Sequence, residues 1–175
     1  MKMKIFSILI IAIFCLSAEV PERVMKKADK EISKFYGIDG FSKDPLLISK
    51  ESNEVTPSEF GSDNFFKISH NEEFISYAYI GNAPSKTATF DYLVLFDKEF
   101  IVTKSKVLIY REEYGGEIGS KRWLRQFIGK KQGDVVKHGQ DIVAIAGATI
   151  STMSMTKAMN NLFESISILR KKGAI

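Results

Sequence analysis

A single cysteine, Cys15, stands among 175 residues, together with only four prolines, two histidines and one tryptophan. No apolar run reaches the roughly 18–20 residues that span a bilayer. The longest, Ile5 to Leu16, has 12 residues, with Lys2 and Lys4 ahead of it and a small Ser17-Ala18 step behind it. That is the pattern of a signal peptide, so residues 1–18 are expected to be removed and 19–175 to form one mature domain. Phe14 stands where a lipobox needs a small residue, which argues against Cys15 as a lipid anchor. Removal would take the only thiol, excluding disulfides, iron–sulfur clusters, thiol catalysis and c-type haem attachment from the mature protein. It would also leave 23 basic and 21 acidic residues. A chain so nearly neutral makes no case for nucleic acid. His70 and His138 fall in expected turns without partners at metal-ligand spacing and receive no role.

What is present is an ordinary globular composition, 45% hydrophobic and 26% charged, with room for one core. Val24, Ala28, Ile32 and Phe35 are spaced for one face of a first helix over 22–36, and Gly37 stands at its C-cap position. The stretch 37–64 is rich in turn formers and is expected to be irregular, with one short strand at Leu46–Ile48. Phe65–Ser69 and Phe74–Gly81 read as a hairpin around His70-Asn71-Glu72-Glu73, the second strand apolar on both faces. Thr87–Phe96 and Phe100–Tyr110 read as another across Asp97-Lys98-Glu99. The expected fold class is therefore α+β: an antiparallel sheet of at least four strands with flanking helices. A short helix is expected over Ser120–Gly129 and a polar loop over Lys130–Gln140. A last helix runs from Ser151 to about Lys171, with Met155, Met159, Leu162, Ile166 and Leu169 on its buried stripe.

The most informative stretch begins at Asp141. Ile142–Ile145 has strand character, Gly147 and Ala148 are small, and Ser151, Thr152 and Ser154 are candidate caps for the helix that follows. Such a junction gathers unpaired backbone N–H groups at the positive end of a helix dipole and can hold a phosphate. Any capped helix begins in a similar way, so the residues alone carry little.

An Asp, a short apolar spacer and Gly147-Ala148-Thr149 together resemble the attachment motif of the FMN-binding domain family, which includes flavin-carrying subunits of sodium-translocating quinone reductases and related ion-pumping complexes. The resemblance covers roughly 72–169. It implies that FMN is joined through its phosphate to the Thr149 hydroxyl by an exported flavin transferase using FAD, with Gly147, Ala148, Ser151 and Thr152 around the attachment point. Asp141 is then either the transferase recognition point or a polar residue at a strand edge. The family usually has Ser or Thr where this chain has Ala146; the acceptor hydroxyl itself is kept.

Tyr110 to Gly119 is similar to the family's Gly-bearing loop against the flavin, and Trp123 to Gly129 to the aromatic-x-Gly helix end behind it. The resemblance makes Glu113, Tyr114 and Gly115 flavin neighbours; without it, Glu112, Glu113 and Glu117 read as a solvated loop. Tyr110, Tyr114, Trp123 and Phe127 could stack on the flavin ring, although aromatics at that spacing more often form core.

The implied protein is an exported electron carrier, periplasmic or on the outer face of the cytoplasmic membrane, matured by a flavin transferase and exchanging electrons with membrane-bound redox partners. Two alternatives stand beside it: a module that holds FMN non-covalently or has lost it, and a small flavin-dependent reductase. The second has little support, since the chain has no nicotinamide-binding Gly-x-Gly-x-x-Gly and Thr149 has no base beside it in sequence.

Overall fold

The computed structural model describes residues 20–175, so the expected signal peptide and Cys15 lie outside the described residues. Five strands, β1 (Ser42–Pro45), β2 (Phe65–His70), β3 (Glu73–Pro84), β4 (Thr89–Phe96) and β5 (Val102–Tyr110), form one antiparallel sheet in the order β1-β2-β3-β4-β5. Helix α1 (Glu22–Tyr36) covers one face and α4 (Thr149–Lys171) the other; α2 (Lys50–Asn53) and α3 (Lys121–Leu124) are single turns.

Alternation along the strands divides the core in two. Phe66, Ile68, Ala78, Ile80, Leu93 and Leu95 pack against Val24, Ala28 and Ile32 of α1. On the opposite face Phe65, Tyr79, Tyr92, Val94 and Phe96 meet Met155, Met159, Leu162, Phe163 and Ile166 of α4. The central strands are apolar on both sides because each side is covered by a helix. Gly37 ends α1 in the left-handed conformation, its amide bonded to the Ser33 carbonyl, as its place in the sequence implies. Asn71 and Glu72 both take positive φ between β2 and β3, the geometry that matches hairpin twist.

The short strand expected at Leu46–Ile48 lies instead at Ser42–Pro45. Leu46 makes one further bond to the Phe65 carbonyl, after which Leu46 and Ile48 turn inward onto the core under α4. The free edge of β5 is covered by the segment after it. Val102 exchanges backbone bonds with Gly129 and Lys130, and the Ser105 hydroxyl donates to the Leu124 carbonyl. That cover blunts an edge that would otherwise invite pairing.

Gly81 is required by packing. A Cβ there would lie 2.3 Å from Cζ of Tyr92, directly opposite on β4. Gly81→Ala is expected to destabilise the fold by about 1–3 kcal/mol through overpacking, read as a lower urea midpoint. Tyr92→Leu in the same chain should restore part of the loss, and failure of the pair to couple would refute this contact.

Candidate functional site

At the end of β5 the Tyr110 hydroxyl and the Ser151 hydroxyl are 3.0 Å apart, fastening the strand to the first turn of α4. The next two residues fix the chain as it leaves the sheet. Arg111 binds the buried Asp91 carboxylate at 2.6 Å and the Thr89 carbonyl. Glu112 reaches the β3–β4 connection, where it accepts from the Ser85 hydroxyl (2.6 Å), the Thr87 amide and hydroxyl, and the Ala88 amide. Sequence reasoning assigned Glu112 to a solvated loop; its clamp depends on a turn 25 residues away that only the hairpin register brings near.

Those donors, the Ser85 hydroxyl first and the Thr87 amide next, lower the Glu112 pKa from 4.5 to about 2, because each favours the ionised form. The folded value lies below the unfolded one, so the clamp contributes fully above about pH 4.5 and is lost as pH falls through about 2. The Thr87 amide resonance is expected to titrate with a midpoint near 2 in an NMR series. A midpoint near 4.5 would show that the cage does not form.

Beyond this clamp Gly115 takes φ +81, and a Cβ on it would lie 2.7 Å from Cβ of Ala148. The loop is thus pressed against the residue before Thr149. Glu113 and Tyr114 are both exposed, Tyr114 at 79%. Trp123 and Phe127 are buried and packed edge to face; they are core, and Tyr114 is the one aromatic of the four that faces outward.

The strand expected over Ile142–Ile145 does not form. Only Ile142 is buried. The backbone of Val143 is satisfied by side chains, its carbonyl accepting from Trp123 Nε1 at 2.7 Å and its amide donating to Gln126 Oε1 at 2.9 Å. With those groups spent there is no ladder to join. Asp141 is accordingly not at a strand edge. Its carboxylate accepts from the Lys137 amide at 2.8 Å and closes a tight turn.

Helix α4 begins at Thr149, two residues earlier than expected, with Ala148 at the N-cap and no side-chain cap. Ser151 and Thr152 are buried inside its first turn rather than capping it. Ser151 meets Tyr110, and the Thr152 hydroxyl donates back to the Thr149 or Ala148 carbonyl and accepts from His138 Nε2 at 2.8 Å. Ser154 stands a turn too late to cap. His138, given no role from sequence, pins the loop to the helix; a histidine in a turn carries no sequence signal of a partner 14 residues later.

Among the described residues the amides of Thr149, Ile150 and Ser151 make no hydrogen bond. Thr149 is exposed, Gly147 has open space where a Cβ would stand, and Val143, Ile150 and Met153 are exposed apolar neighbours along the chain. Three free donors at the head of a 23-residue helix, beside an accessible hydroxyl and small residues, suit a phosphate with an apolar group attached. A cavity of about 520 Å³ opens elsewhere, at the edge of β3, lined by Gly81, Tyr92, Ala158 and Asn161, and does not include Thr149. The head of α4 is a surface site. Among the described residues there is no cluster of potential metal ligands.

The FMN-binding domain family matches residues 87–164, from the β3–β4 connection through most of α4. This segment is an FMN-binding domain by that match. No curated protein matches the chain. The match takes in β4, β5, the loop bearing Gly115, α3 and α4 as far as Glu164, while α1 and β1 to β3 lie outside it and complete the sheet. The protein is a flavin-binding protein, and the flavin that its family binds is FMN.

Proposed function

We propose that FMN is held covalently, through a phosphoester between its phosphate and Thr149 Oγ, and that the protein is an exported electron carrier resembling the flavin subunits of sodium-translocating quinone reductases. The observation that carries this reading is the exposed Thr149 hydroxyl at the uncapped start of α4, with the Thr149, Ile150 and Ser151 amides free.

The attachment balances with FAD as donor. The bond between the FMN phosphate and the adenylate breaks, the Thr149 Oγ–P bond forms, Thr149 gives up its hydroxyl proton, and AMP leaves. A separate flavin transferase would supply the base: among the described residues no titratable side chain is hydrogen-bonded to Thr149 Oγ, and the nearby His138 is bonded to Thr152 instead. The three amides and the helix dipole then bind the phosphate. Gly147 and Gly115 let backbone come close to it. Tyr114, Ile150 and Met153 offer apolar surface to the ring, and Asp141 holds the preceding turn, where a transferase would dock. The bound flavin supplies the electron transfer.

Intact mass and in-gel flavin fluorescence on protein coexpressed with a flavin transferase test the proposal. A gain equal to FMN less water is expected. If the mass is unchanged while a control substrate is modified, attachment is not covalent and the chain is a non-covalent FMN module.

A further inference from the structure

The segment 118–140 wraps from the Gly115 loop along β5 and back to the attachment turn. It carries six basic residues against one acid, Asp134, whereas the rest of 20–175 carries 17 against 19. The positive charge of the domain is therefore concentrated here. Lys121, Arg122, Arg125 and Lys137 are all exposed, and none of the six basic residues enters an ion pair among the described residues.

The segments that carry these four cations are bonded to the turn before Thr149 and to the first turn of α4. Lys121 and Arg122 precede Trp123, and Arg125 precedes Gln126; Trp123 and Gln126 are the side chains that bind the Val143 backbone. Lys137 precedes His138, which binds Thr152, and follows Val136, whose amide and carbonyl are both bonded by the Asn160 side chain. Val135 and Val143 are exposed as well. On the other rim of the site, in the Gly115 loop, Glu113 and Glu117 are exposed and carry the opposite sign.

From this arrangement we infer that the face formed by Lys121, Arg122, Arg125 and Lys137 docks the acidic surface of a redox-partner protein, with the Glu113–Glu117 rim setting its orientation. The inference rests on the carrier reading and names the chemistry of that partner. Unpaired charges at fixed positions beside a cofactor raise the encounter rate with a complementary surface and suppress wrong orientations. A mixed rim favours a protein over an anionic membrane, which would repel Glu113 and Glu117 as it attracted the lysines. Small, charged, short-lived contacts are the pattern of electron-transfer encounters.

The test measures association of the mature chain, flavin-free and flavin-loaded, with an immobilised acidic plant-type ferredoxin. Wild type is compared with the fourfold variant Lys121→Glu, Arg122→Glu, Arg125→Glu, Lys137→Glu. A control, Lys30→Glu, Lys34→Glu, Lys171→Glu, Lys172→Glu, makes the same net change on exposed positions at the two long helices. At about 20 mM ionic strength the first variant is expected to associate about tenfold more slowly or worse, and the control less than threefold; the difference should close near about 0.5 M salt. Equal losses in the two variants, no loss in either, or no measurable association of wild type would overturn the inference. So would loss of binding to phosphatidylglycerol vesicles with ferredoxin association intact, which would assign the face to a membrane. Flavin content, measured separately by intact mass, reports on the carrier reading, and the flavin-free arm reads the docking face whichever way that falls.

Discussion

Thr149→Ala is expected to remain at its polypeptide mass under conditions in which the wild type gains FMN less water, a loss of all covalent flavin rather than a fraction. No neighbouring hydroxyl is placed to substitute. Ser151 is buried against Tyr110, and Thr152 is buried and bonded to His138; Ser154 is half-buried a full turn into the helix. Alanine is a better helix former than threonine, and Thr149 is exposed at the first helical position. Unfolding should therefore stay within about 0.5 kcal/mol of wild type. Thr149→Ser keeps the nucleophilic oxygen and is expected to be flavinylated. Covalent flavin on the alanine variant would move the attachment to another residue, while a serine variant without flavin would show that the threonine methyl is needed by the transferase.

The sheet and its two covering helices were legible because their signals are local and repeated. Apolar runs paired across turn residues marked four of the five strands, and the 3.6-residue stripe of Met155, Met159, Leu162 and Ile166 identified the helix that buries them. The stretch before α4 was misread because distant side chains supply its backbone partners. Ile142–Ile145 has strand composition, yet Trp123 and Gln126 occupy the Val143 backbone, and no pattern within 142–145 reports a residue about 20 positions earlier. The same holds for Ser151 and Thr152. As residue types they are good caps, but the structure spends one on Tyr110 and the other on His138, leaving the helix start bare. That error bears on function, because a capped terminus would have used donors that a phosphate needs. Glu112 shows the converse: an acid that looked solvated is clamped by four groups of the β3–β4 connection.

Gly115→Ala is the substitution expected to damage the site most while leaving the acceptor in place. Two independent costs fall on it. At φ +81 a Cβ is strained by about 1–2 kcal/mol, and the same Cβ would stand 2.7 Å from Cβ and 3.2 Å from Cα of Ala148, an overlap of the kind that costs about 1–3 kcal/mol. Neither neighbouring atom can swing aside, since Ala148 is the N-cap of α4 and its carbonyl accepts from the Thr152 amide. The loop must therefore lift away from the helix start, carrying Glu113 and Tyr114 with it. Gly116 is the internal control: it has no positive φ, and a Cβ added there would meet nothing within 4 Å, so Gly116→Ala should unfold and take up flavin as wild type does. For Gly115→Ala, urea unfolding is expected to show a loss of about 2–5 kcal/mol, and an intact-mass time course should show slower flavin transfer at a transferase concentration that saturates wild type. If both alanine variants load at the wild-type rate, contact between the Gly115 loop and Ala148 is not what prepares Thr149, and the flavin is positioned from the α4 side alone.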